Sequence, residues 1–410
     1  MALPSSSAPS SSSSPPSPFD PAAVDHVELF TPDLRASQKW LERGYGFRPD
    51  ASVGAAGGGG GCRSVGLRSH DICLVLTEAT ASDHPAAAYT DRHGEGVGCI
   101  ALRVRSATEA FEEAVRRGAR PVAAPTATSM PTGTSTPTGT SMPTGTSSAM
   151  SAAATSAADG AATASIMAFG DVVHTFVERP RGAGISGTAE MPGVGETTHK
   201  NPGASTTGLT AIDHIAVCLE PGHLEPTVEF YQRVLDFQAV YSERVVVGSQ
   251  AMDSTVVRSA CGGTTLTLIE PDTSRRPGQI DAYLKEHRGS GVQHIAFATD
   301  DIVRTVSATR AAGVRFLSTP RAYYDGLAAR MRPLRHSVDE LRAGDVLADE
   351  DSDGQLFQIF TRSVHPRGTF FLELIERRGA RTFGSGNIKA LYEAVEHQQA
   401  EGQPVIGTGE

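Results

Sequence analysis

The chain lacks a basic stripe, and its formal net charge of −10 leaves no patch that could meet a phosphate backbone. That excludes a general nucleic-acid binder. Cysteine is scarce and odd in number (Cys62, Cys73, Cys99, Cys218 and Cys261), with no CxxC spacing, which fits a reducing cytoplasm better than a disulfide framework. No apolar run approaches the ~20 residues that a membrane span needs. Near the N-terminus, Ser and Pro stand where a secretory signal would carry positive charge and then an apolar stretch. A cytoplasmic protein with no nucleic-acid or membrane partner is the expectation. The glycine-rich GAAGGGGG at 54–61 lacks the strand-then-helix frame with a following Lys, so it reads as a hairpin loop and not a phosphate cradle.

Several segments have too little apolar surface to offset their ordering entropy. Residues 4–18 are nearly all Ser and Pro, residues 125–165 are Thr, Ser, Ala, Gly, Pro and Met with MPTGTS twice, and residues 181–208 are rich in Gly, Thr and Pro. The organisation expected is a tail over 1–19, an N-terminal domain over 20–180 with an insert at about 125–165, a linker over 181–208, a C-terminal domain over 209–399, and a tail over 400–410. About 300 residues then remain to fold, enough for two domains of ordinary size.

The two halves echo each other. VDHVELFTPDL from Val24 parallels IDHIAVCLEPG from Ile212, and each leads through an amphipathic helix to a Gly-Phe or Asp-Phe exit. Val228, Tyr231 and Leu235 fall at helical spacing. GVGCIALRV from Gly96 parallels GVQHIAFAT from Gly291, each followed by a helix that closes on a glycine suited to a left-handed C-terminal position. TFVERP at 175–180 parallels ELIERR at 373–378. The pattern predicts an α+β fold of four βαβββ units, two per half, curled to enclose a cavity for a small ligand.

In the second half, His214, His294 and Glu373 are spaced 80 and 79 residues apart, each in a strand-like segment. Strict alternation puts Ile212, His214 and Ala216 on one face, Val292, His294 and Ala296 on another, and Phe371, Glu373 and Ile375 on a third. Taken alone, a histidine on an apolar face is usually a hydrogen-bonded core residue. Three polar groups at repeat-equivalent places are different, because a buried carboxylate is costly unless paired, and a cation removes the penalty. Two histidines and one carboxylate form the facial set of non-haem Fe(II) oxygenases, and they also suit a hydrolytic zinc site. Glu376 is a rival carboxylate of the wrong parity, with Arg377 beside it. In the first half, His26 matches His214, but Cys99 and Thr175 stand at the other two places and His174 is one place out of register. One ligand of three cannot hold a metal, so that half is expected to be structural.

Taken with these residues, DHIAVC, GVQHIAFATDDI, YYDGL, ADEDSDGQLFQIFT and FFLELIERRGARTFGSGNIKALYEAVE resemble the 4-hydroxyphenylpyruvate dioxygenase family of the vicinal-oxygen-chelate superfamily. The resemblance is strong over 209–399 and weaker over about 20–124. It implies two glyoxalase/dioxygenase-like open barrels, a C-terminal lid helix, Fe(2+) as cofactor, 4-hydroxyphenylpyruvate and O2 as substrates, and a homodimer. By the same resemblance His214, His294 and Glu373 are the iron ligands. Ser254, Gln279, Gln293, Gln358 and Asn387 are polar pocket positions, and Phe360 and Phe383 are aromatic walls.

Members of this family decarboxylate the 2-oxo acid oxidatively and then attack either the ring, giving homogentisate, or the benzylic carbon, giving 4-hydroxymandelate. Ring-oxidising members have a Pro and an Asn where TLIEP here places Thr267 and Ile269, and an aromatic residue where GNI places Ile388. These three positions look like the benzylic branch, whose product feeds 4-hydroxyphenylglycine for peptide antibiotics. Homogentisate formation in tyrosine catabolism stays open, as does a non-catalytic binding protein of the same superfamily. Asn387 suits a helix N-cap, followed by an apolar face of Ile388, Leu391, Tyr392 and Val395, with FGSG as a hinge.

Overall fold

The computed structural model describes residues 17–52, 60–126, 161–179, 207–331 and 335–384, together with 386, 387 and 389. The first half runs β1 (Pro21–Phe30), α1 (Leu34–Tyr45), β2 (Arg48–Pro49), β3 (Cys62–Ser69), β4 (Ile72–Ala79), α2 (Pro85–His93), β5 (Gly96–Val104), α3 (Ala107–Arg116), β6 (Pro121–Ala123), β7 (Ala162–Met167) and β8 (Val173–Glu178). The second runs β9 (Leu209–Cys218), α4 (Leu224–Leu235), β10 (Gln238–Val247), β11 (Gln250–Arg258), β12 (Thr265–Pro271), α5 (Gln279–His287) and β13 (Gly291–Thr299). It continues through α6 (Ile302–Ala311), α7 (Arg321–Arg330), α8 (Val338–Gly344), β14 (Leu347–Glu350), β15 (Gln355–Phe360) and β16 (Phe371–Arg378).

Each half is one eight-stranded sheet, ordered β2-β3-β4-β1-β5-β8-β7-β6 and β10-β11-β12-β9-β13-β16-β15-β14. The order is the same in both, as two βαβββ units joined through an antiparallel pair (β1–β5, β9–β13) require. Helix ends follow local chemistry. Asp33, Ser106 and Asp301 cap the starts of α1, α3 and α6 with their side chains. Gly118 and Gly313, just past α3 and α6, take left-handed φ of 105° and 95°.

Helices cover one face of each sheet and share a single apolar core that crosses between the halves. Phe47 and Phe297 stack obliquely with ring centres 5.8 Å apart. Tyr231 of α4 donates a 2.8 Å bond to Nε2 of buried His174 on β8. The other face of the second sheet carries a separate apolar cluster of Ala216, Cys218, Met252, Ile269 and Ile280, and this face encloses the cavity.

Two expectations change. The N-terminal tail was drawn to residue 19, yet Phe19 is buried against Phe176 and Ser17 donates to Asp236 across the halves. Phe19 has a ring to bury, which the Ser/Pro run before it lacks. The insert was drawn to 165, but β7 begins at Ala162 because Ala162 and Ile166 pack into the core beside β8. Residues 127–160 of the insert, the 181–208 linker up to 206, residues 54–59 of the glycine loop, and Ile388, Leu391, Tyr392 and Val395 lie outside the described residues. None of the five cysteines is bonded to another, and among the described residues no helix is long and apolar enough to cross a membrane.

Candidate active site

Register alone brings the three candidate ligands together. Ala296 on β13 pairs with His214 on β9 to one side and with Glu373 on β16 to the other. His294 lies two residues earlier on the central strand, hence on the same face. His294 Nε2 is 3.1 Å from Glu373 Oε2 and His214 Nε2 is 3.5 Å from it, and the three ligand atoms lie within 4.8 Å of one another. All three side chains are buried.

Two β-bulges aim the histidines. Between Ile212 and His214, β9 advances two residues while β13 advances one, so Asp213 is the extra residue. Between Val292 and His294, β13 advances two against one, so Gln293 is extra. Each extra residue holds the histidine that follows it. Asp213 Oδ1 accepts from His214 Nδ1 at 2.8 Å, and Gln293 Oε1 accepts from His294 Nδ1 at 3.1 Å. Both Nε2 atoms therefore face the cavity. The bulges also correct the alternation read from sequence: Val292 and Ile212 pack on the helix-covered core, not beside the histidines.

Arg377 fixes Asp213 with a bidentate fork, Nε to Oδ2 at 2.7 Å and Nη2 to Oδ1 at 2.9 Å. Burial disfavours a charged His214 ring, but Glu373 and Asp213 outweigh it and hold its pKa up, at about 9. Burial would raise Glu373, yet the two imidazoles keep it below the usual carboxylate range. Burial wins at His294 and pushes it down.

The first half repeats the scaffold without the ligands. His26 and Thr175 both pair with Ala101, and Cys99 takes the place of His294. A bulge again makes Asp25 extra, and Asp25 holds His26 at 2.9 Å while Arg179 forks it. Cys99 Sγ instead donates to Thr175 Oγ1 at 3.2 Å.

A cavity opens over the three residues, with about 590 Å³ of open space including the part that leads out to solvent. Thr267, Ile269, Gln279, Gln293, Gln358, Phe360 and Phe383, all read from the sequence, line it together with His214, His294 and Glu373. Ser254 does not; it sits one strand out, paired with Ile269, and its hydroxyl turns to the Glu243 carbonyl at 3.4 Å. Asn387 is buried behind the lining, in a helical turn that includes Gly386, where Oδ1 accepts from Tyr323 at 3.0 Å. It is therefore not an N-cap. The FGSG glycines lie close to their neighbours: a Cβ on Gly384 would lie 2.9 Å from Gln358 Oε1, and one on Gly386 would lie 3.0 Å from an Asp349 oxygen.

Four buried polar atoms in the lining have no partner among the described residues: Glu373 Oε1, Thr267 Oγ1, Gln279 Nε2 and Gln358 Oε1. Orphaned buried groups are expensive, so the site is built for a polar occupant. The donor set fits a divalent cation, with Glu373 Oε1 as a spare oxygen. Sequence reasoning missed Met252 and Ile280 in the lining and Asp213 and Arg377 behind it. The signal for the latter pair was present, since Asp-His and the later Arg recur at Asp25, His26 and Arg179.

The chain matches the Glyoxalase/Bleomycin resistance protein/Dioxygenase superfamily over residues 23–142 and 211–359. It is 30% identical to a 4-hydroxyphenylpyruvate dioxygenase of Dictyostelium discoideum, over 92% of this chain and 97% of that one. The corresponding protein of Aspergillus fumigatus is 28% identical, over 96% of this chain and 98% of that one. Among solved structures, a triple-substituted 4-hydroxymandelate synthase from Streptomyces coelicolor is 40% identical and superposes with a TM-score of 0.73, covering 92% of this chain and 99% of that one. With the repeated fold and the His/His/Glu cavity beside these likenesses, the chain belongs to the 4-hydroxyphenylpyruvate dioxygenase family of the glyoxalase superfamily.

Proposed function

We propose that the chain converts 4-hydroxyphenylpyruvate and O2 into 4-hydroxymandelate and CO2, at an Fe(II) ion held by His214, His294 and Glu373. The observation that carries the reading is one cavity combining that donor set with orphaned amide and hydroxyl groups. Bound Fe(II) would supply the activation of O2 and the point to which the 2-oxo acid chelates. Atoms balance: the first carbon leaves as CO2, one oxygen enters the new carboxylate and the other becomes the benzylic hydroxyl.

The chain's own residues orient and protect. Asp213 and Gln293 keep both imidazole Nε2 atoms on the cavity side. Gln279 and Gln358 offer free amide groups to the substrate's polar ends. Phe360, Phe371 and Phe383 wall the aromatic ring and exclude water. Choice of carbon then rests on where the ring lies. Thr267 and Ile269 line the β12 side of the cavity, where ring-oxidising members have Pro and Asn. Likeness to a mandelate synthase supports the benzylic product. The names of the sequence relatives favour a second reading, homogentisate, with the same site and stoichiometry.

An oxygen electrode with parallel CO2 capture tests the shared chemistry. Uptake and release should be equimolar, vanish with a chelator, and return with Fe(II) but not Zn(II). Turnover without O2, or equal rescue by zinc, would contradict the iron reading.

A further inference from the structure

The Arg377 guanidinium touches more than Asp213. Its Nη1 donates to the Thr382 carbonyl at 2.6 Å, and its carbon lies 4.9 Å from the centre of the Phe383 ring. That ring stands perpendicular to the His214 imidazole, with centres 5.0 Å apart at 89°. One planar cation thus binds the carboxylate that orients His214, the carbonyl just before Phe383, and the face of Phe383. Around it the chain past β16 is held by hydrogen bonds to two aspartates. Asp351 Oδ2 accepts from the amides of Arg381 and Thr382 at 2.7 and 2.8 Å, and Asp349 Oδ2 accepts from Gly386 at 2.8 Å.

We infer that Arg377 is a positioning residue that couples metal occupancy to the seating of residues 379–384, which put Phe383 in the cavity wall. The inference rests on the metal reading above. A cation on His214 Nε2 takes the place of the proton there and fixes the plane of the ring, and so the line of its Nδ1–H to Asp213; through the bidentate fork this fixes the plane of the guanidinium. The same plane sets Nη1 on Thr382 and the contact with Phe383. Coupling of this kind is reciprocal, so seating the segment also strengthens metal binding. Lysine carries the charge but cannot make the fork and the third contact together.

The test is hydrogen exchange of the full chain with and without Co(II), together with Co(II) affinity by calorimetry. In the wild type Co(II) should slow exchange across 379–384 about tenfold. In Arg377→Lys that protection should be lost, and affinity should fall about 10–100-fold. The double variant Asp213→Asn/Arg377→Gln leaves no uncompensated buried charge and should give the same losses, which covers the case of a misfolded single variant. Undiminished protection in either folded variant, or affinity within twofold of wild type, would overturn the coupling. Wild-type binding without any change in exchange would overturn it too while leaving the metal reading intact. A wild type that binds no Co(II) would remove both.

Discussion

His174 gives a prediction whose size follows from the structure. It is fully buried at the seam between the halves, where Nδ1 donates to the Ile100 carbonyl at 3.0 Å and Nε2 accepts from Tyr231 at 2.8 Å. A proton on Nε2 would face a donor and no carboxylate. Burial accordingly pushes the pKa from 6.5 down to about 4, against a small opposing pull from the Ile100 carbonyl. Above pH 6.5 the ring is neutral folded and unfolded, and contributes no pH dependence. As pH falls below 6.5, the unfolded chain takes up a proton that the folded chain refuses, so stability drops. The drop is about 2 kcal/mol at pH 5 and about 3 kcal/mol once pH is below 4. The assay is urea unfolding at pH 7 and pH 5 for wild type and His174→Gln. Glutamine keeps one of the two bonds, so the variant should lose about 1–2 kcal/mol at pH 7. Its further loss on going to pH 5 should be smaller than that of wild type by about 2 kcal/mol. Carboxylates that titrate in this range cancel in the comparison. Equal pH dependence in the two proteins would refute the reasoning.

Other expectations follow from the same residues. Glu373→Ala leaves two imidazoles and should abolish Fe(II) retention and O2 uptake while the circular dichroism spectrum is unchanged; full activity would remove Glu373 from the ligand set. Ile269→Asn with Ile388→Phe should raise the share of homogentisate among the products by chromatography, and an unchanged ratio would free those positions of any steering role. Gly384 has φ of 71° and an added Cβ would lie 2.9 Å from Gln358 Oε1, so Gly384→Ala should raise KM several-fold through the displaced amide, with little change in melting temperature.

Much of the fold was legible because the repeat is. DH at 25–26 and 213–214, and the glycine-led strands at 96 and 291, gave four units in the right order. The candidate ligands were legible for the same reason, since equal spacing in repeated units means equal places in the sheet. The orienting residues were missed, although Asp213 and Arg377 have counterparts at Asp25 and Arg179. Alternation assumes a regular pleat, and the bulges at Asp213 and Gln293 break it where the histidines need neighbours on their own side. That is why Val292 was read as facing the cavity. Ser254 was misplaced by one strand, because its pairing with Ile269 brings it near the cavity without reaching it. Asn387 was taken for a cap because its type suits one, whereas Tyr323, 64 residues earlier in the chain, claims its side chain.

The most direct measurement of the central claim is product identity. Iron-loaded protein with 4-hydroxyphenylpyruvate and air should give a product whose proton NMR spectrum has a benzylic CH–OH signal and a para-substituted ring, as 4-hydroxymandelate does. A spectrum with three ring protons and a benzylic CH2, that of homogentisate, would contradict the benzylic assignment and return Thr267, Ile269 and Ile388 to ordinary variation within the family.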